Sequence, residues 1–295
     1  MQYSSRPLSR ASLACAVLLA AVSPAPAAAQ AEAEANHLYD KFEFTLSGSN
    51  VLTSPTLRID GENGSGTEIE FGQRLGVDRS GFEPRLAIRW KPGRRHELEA
   101  GYLFVTRTGE KRLEDSIRVG DTVFTAGLKV DSKFGGDYAF LSYRYAIMAR
   151  QNTQLGLNLA LGYIAFAIDI NALAGASNGN DTLTTSYGVS KSFPGPVATL
   201  GLFGRFRFGH QWDVAADAAY LGARASNLDI SEYVLGGAVR HFVSRKLGFE
   251  AGYGITSVHL DISNKGGRLI DPGTIQGKIR YSFQNFRLGV ILALQ

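Results

Sequence analysis

Ser257, His259 and Asp261 supply a nucleophile, a base and an acid, and their spacing of two puts all three on one face of a β-strand. Alternate strand residues stand roughly 7 Å apart, so direct proton transfer along the row needs a bulge. Three polar side chains at the edge of an apolar stripe are the plainer explanation of the same letters. His96, His210 and His241 fall near short turns at the other end of their strands and cannot join the set. Gly61 to Gly66 is glycine-rich, but no Lys-Ser/Thr pair or helix follows, so no phosphate cradle is expected. No metal-ligand spacing occurs, and neither metal nor cofactor is expected.

A larger set of reactive groups is charged. On alternating segments Glu43, Glu83, Glu97, Glu99, Asp213, Asp217 and Glu250 take the polar parity, as do Arg85, Arg89, Arg144, Arg205, Arg207, Arg240 and Arg287. Equal numbers of both signs imply a paired network, not a ring of one sign, because an unpartnered charge in a narrow interior costs several kcal/mol. Hairpin geometry predicts three cross-strand pairs. Arg89 meets Glu97 if Trp90 lies opposite His96, Arg207 meets Asp213 across Gly209-His210-Gln211, and Arg240 meets Glu250 across a three-residue turn.

The elements that position these groups are strands of period two. In the hairpin from Val197 to Tyr220, Leu200, Leu202, Phe206 and Phe208 share one parity with Trp212, Val214 and Tyr220 on the returning limb. Phe42, Phe44 and Leu46 repeat the pattern, as do Phe82 to Trp90, Leu155 to Tyr163, and Phe286 to Leu294. Nine to eleven residues is the length a tilted strand needs to cross the hydrocarbon layer. After Tyr163 the apolar parity switches to Ile164, Phe166, Ile168 and Ile170, which predicts a bulge as the strand leaves the lipid.

Turns near residues 93, 151, 210 and 245 give four periplasmic hairpins and ten strands. Other divisions of 53–76 and 274–294 leave eight and twelve as alternatives. Long extracellular loops are expected at 53–81, with its own hairpin, at 108–133, tipped by Gly120-Asp121, at 172–192 and at 263–273, with a shorter one near Arg224 to Asp229.

Ahead of the strands, Ala11 to Val22 follows Arg6 and Arg10 and precedes Ala27-Ala28-Ala29. This predicts a secretory signal over residues 1–29, cleaved after Ala29 or Ala31, then a periplasmic leader over 30–40 and a barrel over 41–295. The only cysteine, Cys15, lies in the signal, so the expected mature chain has none. The net charge of +4 falls to +2 without Arg6 and Arg10, too weak a bias for a nucleic-acid partner. A mean hydropathy of −0.06 argues against a membrane protein built of helices.

These features together resemble small proteobacterial outer-membrane β-barrel proteins. The resemblance implies an all-β fold, a single antiparallel up-and-down transmembrane barrel with short periplasmic turns and long extracellular loops. It also implies outer-membrane lipid and lipopolysaccharide as surroundings and the barrel-assembly machinery as an insertion partner, with the ligand of the loops unspecified. Lys111, Arg112, Lys129, Lys133, Lys265 and Arg268 are candidates for lipopolysaccharide phosphates. The expected function is non-enzymatic: a barrel with a charge-paired lumen, contributing to envelope structure, surface interaction or slow passage of small solutes. The alternative is a lipid or peptide hydrolase at the extracellular rim. Outer-membrane phospholipases and lipid A deacylases resemble the chain in setting His and Ser two apart, but in the order opposite to Ser257 and His259. Omptin proteases set Asp and His two apart, opposite to His259 and Asp261.

Overall fold

The computed structural model describes residues 37–53, 55–61, 65–177, 182–225, 228–262 and 276–294. The expected signal, the leader up to residue 36, and Lys265 and Arg268 lie outside the described residues. The strands are β1 (Phe42–Thr53), β2 (Thr56–Asp60), β3 (Glu68–Glu70), β4 (Ser80–Gly93), β5 (His96–Arg112), β6 (Ile117–Val119), β7 (Thr122–Phe124), β8 (Lys129–Arg150), β9 (Thr153–Ser177), β10 (Thr182–Phe208), β11 (Trp212–Ala225), β12 (Leu228–Phe242), β13 (Leu247–Ile262) and β14 (Gln276–Leu294), with one short helix, α1 (Phe71–Leu75).

Ten of these strands close a barrel in the order β1, β4, β5, β8 through β14, with β1 paired antiparallel to both β4 and β14. Closure leaves no strand edge unpaired at membrane depth, which a lipid-exposed sheet requires. The alternation in the sequence becomes two faces. Along β1 each outward residue alternates with a buried inward one, and outward side chains such as Phe82 (74% exposed) and Leu200 (62%) have no protein cover. Aromatic residues bound this apolar band. Phe42 stacks on Trp90 with ring centroids 6.3 Å apart, and Phe208 on Trp212 at 6.2 Å, near the short turns. Tyr163, Tyr220 and Tyr233 stand exposed toward the other edge. Two aromatic girdles around an apolar band are how a barrel meets both membrane interfaces.

The first hairpin differs from expectation in register. Arg94 and Arg95 alone form its turn, the strand continuing through Gly93 with an irregularity, and Trp90 pairs with Leu98. Arg89 therefore lies opposite Glu99 and not Glu97. The expected bulge in β9 is also absent: its pairing with β8 and β10 runs unbroken through Ile164 to Ile170. The parity switch has another cause, since Ile168 and Ile170 face inward and are buried. Above the membrane the inside of the barrel is apolar.

That apolar interior is filled by the first two loops. β2 pairs with the upper end of β14 and extends the wall above β1, and β3 pairs with β2. The helix α1 follows, capped at its start by Glu70, whose carboxylate accepts from Gln73 N at 2.7 Å, and at its end by Gly76 at φ 67°, a left-handed position that favours glycine. β6 and β7 form the expected hairpin on Gly120 (φ 61°) and Asp121. Leu57, Ile59, Ile69, Phe71 and Leu75 pack with Ile117 and Phe124 against the inner faces of β5, β8 and β9 at Val105, Phe134 and Ile170. The segments forecast as loops at 108–133 and 172–192 are in large part strand. β8, β9 and β10 run 22, 25 and 27 residues, against 14, 15 and 16 for β11, β12 and β13.

At the other end residues 37–39 are tied down. His37–Tyr39 form a 3-10 turn, Leu38 is fully buried, and Lys91 Nζ donates to its carbonyl at 2.8 Å. The Arg94 guanidinium covers the Tyr39 ring at 4.6 Å.

Candidate functional site in the barrel lumen

Inward parity on β1, β4, β5, β8, β10, β11 and β12 carries charged side chains into one layer at the periplasmic end, where they connect. Glu43 is held by Arg89, by Arg240 at 2.9 Å and by Lys91 at 3.3 Å. Glu97 receives Arg205 Nη2 at 2.7 Å, Arg144 at 2.6 Å and Arg89 at 3.2 Å. Glu99 receives Arg85 at 2.7 Å, Arg144 at 2.8 Å and Arg89 at 3.0 Å. Asp213 is bound by Arg240 at 3.1 Å. Next to this layer Arg287 holds Glu250 at 2.7 Å, and higher up Arg107 holds Glu83 at 2.6 Å. The connected layer counts six cations, Arg85, Arg89, Lys91, Arg144, Arg205 and Arg240, for four carboxylates.

Of the three forecast pairs, Arg89 and Glu97 do touch, at 3.2 Å, though they are diagonal neighbours and not opposite. The other two are corrected. Arg207 stands opposite Asp213 in register, but its Nη2 donates to His210 O at 3.1 Å while Asp213 binds Arg240. Arg240 stands opposite Glu250, but its guanidinium turns to Glu43 and Asp213, leaving Glu250 to Arg287. Asp213 has a ladder partner on either side and binds Arg240 on β12 instead of Arg207 on β10, whereas Arg240 also reaches Glu43 across the lumen, where inward side chains of distant strands converge. Asp217 lines the space above this layer.

Three charged inward residues escaped the sequence reading. Lys91 adjoins the turn near residue 93, Arg107 the expected loop at 108–133, and Glu232 the one near Arg224 to Asp229. Glu232 is buried on β12, and its Oε2 has no hydrogen-bond partner. Extending the parity of Val234 and Gly236 backwards by two would have found it.

Between the charged layer and the apolar fill lies a cavity of about 300 Å³. Its lining passes from Arg144, Arg205 and Arg240 through Asn158 and Thr256 to Val105, Ile164 and Phe283.

Ser257, His259 and Asp261 are elsewhere. They continue the outward parity of Tyr253 and Ile255, with Ser257 opposite Tyr233 and His259 opposite Ser231. The His259 ring lies 6.3 Å from the Tyr233 ring, and Asp261 pairs with Lys278 at 2.8 Å. Among the described residues no hydrogen bond joins the three. Of the basic loop residues, Lys111 pairs with Glu114 at 3.0 Å, Lys129 with Glu110 at 2.7 Å, and Arg112 donates to Gly127 O at 2.7 Å.

No family model matches the chain, and no curated protein does. Among solved structures it is similar to the outer membrane protease OmpT of Escherichia coli, at a TM-score of 0.54 and 11% identity, over 87% of this chain and 97% of that one. The translocator domain of the autotransporter NalP from Neisseria meningitidis aligns at a TM-score of 0.39 and 12% identity, over 96% of this chain and 97% of its own. The attachment invasion locus protein Ail of Yersinia pestis aligns at 0.33 and 11%, over 85% and 99%. The likeness to OmpT is one of fold. With the closed ten-strand barrel and its girdled apolar band, it makes this chain an outer-membrane β-barrel protein.

Proposed function

We propose that the protein is a non-enzymatic outer-membrane barrel with a sealed lumen, serving envelope structure and surface interaction in preference to solute passage. The observation that carries this reading is the doubly closed interior. The connected charged layer, with Leu38 beneath it, fills the periplasmic end, and the apolar fill of β2, β3, α1, β6 and β7 occupies the extracellular end. Charges paired on every side at such depth act as a structural plug, because opening a path between them strands ions in a medium of low dielectric. Lipopolysaccharide around the extracellular loops and the barrel-assembly machinery during insertion are the partners this reading includes. Purified protein in planar lipid bilayers is expected to show no discrete conductance steps, and regular steps of one size would overturn the reading.

A second reading, hydrolysis at the extracellular rim, is favoured by the row Ser257, His259 and Asp261 near the upper aromatic girdle. Against it stand the pairing of Asp261 with Lys278 and the missing hydrogen bonds within the row. His259→Ala is expected to leave lipid and peptide hydrolysis by the purified protein at the background rate of the detergent buffer. A wild-type rate above that background, abolished in the variant, would establish the enzyme instead.

A further inference from the structure

One corner of the central cavity is built from two arginines that face the same space. Arg85 on β4 and Arg287 on β14 flank β1, where the small residues Ser47 and Ser49 are their ladder partners. Each guanidinium spends one nitrogen on a carboxylate, Arg85 Nη2 on Glu99 and Arg287 Nε on Glu250, both at 2.7 Å. Each side chain keeps about a fifth of its surface open (20% and 21%), whereas Arg205 and Arg240 in the layer below keep 4% and 1%. Both residues line the same cavity. The layer beneath this corner, without Arg85, holds five cations for four carboxylates. Moving away from it, the cavity turns apolar at Val51, Leu103, Val105, Ile164, Phe203 and Phe283.

We infer that the cavity binds a small carboxylate amphiphile, its headgroup between Arg85 and Arg287 and its chain among the apolar walls. A guanidinium fork matches a carboxylate in shape and charge. Glu232, on β12 with no hydrogen-bond partner at Oε2, lines the same cavity. A cavity of about 300 Å³ is at the small end of ligand sites, which limits the chain to a short one. The wall also has a thin place. On the lipid side a hollow of about 540 Å³ is floored by Gly204, Ala216 and Gly237, which also line the cavity, and the backbone pairing of β10, β11 and β12 runs unbroken between the two.

The inference rests on the sealed-lumen reading, yet the two fail separately: conductance tests the seal, and binding tests the site. The probe is octanoate, titrated calorimetrically into the full chain in nonionic detergent, beside octanol, which lacks the charge, and acetate, which lacks the chain. Saturable one-to-one binding of octanoate is expected, weakened at least tenfold in Arg85→Gln and in Arg287→Gln, with no saturable binding of octanol or acetate. Absence of saturable octanoate binding, equal binding of either control, or unchanged affinity in both variants would overturn it. If an arginine variant does not fold, Ala160→Phe fills the cavity and keeps every charge. Loss of octanoate binding in that variant supports the site, and retained binding refutes it.

Discussion

Glu97 shows what a single side chain is asked to do in this interior. Its two oxygens face Arg205, Arg144 and Arg89, with Lys91 at 3.7 Å, and the carboxylate is almost fully buried. Such a cluster gains little over a well-packed apolar one, because desolvation offsets most of the attraction. Removing one member is another matter, since the remaining cations are left buried without compensation. Glu97→Gln is expected to destabilise the barrel by about 3–5 kcal/mol, read as a lowered urea midpoint for unfolding from lipid vesicles. A loss under about 1 kcal/mol, the range of an exposed pair, would show that water enters the layer freely. Residue types and parity made most of this cluster legible in advance, and Glu43, Arg89, Glu97, Glu99 and Arg240 all lie where alternation put them. Who bonds whom was not legible. Register fixes neighbours along the sheet, while Arg240 bonds Glu43 from three strands away across the ring.

At the scale of the element, the first two loops are parts of a small core. Phe71 begins α1 and meets Phe134 of β8 edge-on, ring centroids 5.7 Å apart, with almost none of its surface exposed. Truncating a buried phenyl group costs about 3–5 kcal/mol when the surroundings cannot collapse into the space. Phe71→Ala is therefore expected to loosen the extracellular fill before the barrel. In native-state hydrogen exchange, amides of β2, β3 and β6 should lose protection while those of β11 and β12 near the short turns keep theirs. Uniform loss over all strands would mean that fill and barrel unfold as one unit. The sequence hinted at this core through Leu57, Ile59, Ile69 and Phe71, and through the parity switch after Tyr163. The hint was ambiguous for a physical reason: an apolar stripe looks the same whether lipid or packed side chains cover it. Residues 129–133 of β8, 172–177 of β9 and 182–192 of β10 look like loop in the sequence because outside the membrane the outer face meets water, and the alternation that marks a spanning strand fades.

For the whole molecule, strand number, closure and the sides of the sheet followed from repeated alternation and four short turns, because lipid enforces one apolar face along each spanning segment. The register of one hairpin did not, since Lys91 to Arg95 is rich in turn-forming and charged residues and gives no sign that Lys91 points inward. The charged layer has a consequence for how such a barrel comes into being. Glu43 lies on the first strand and its partner Arg240 on the twelfth, 197 residues later in the chain, and the two lie near each other only once β14 has joined β1. A chain halted with its seam open would keep Glu43 on Arg89 and Lys91 and Arg240 on Asp213, but would lack the bond between the two groups. Closing the seam adds the Glu43–Arg240 bond last, so the ionic layer works as a latch on the finished ring.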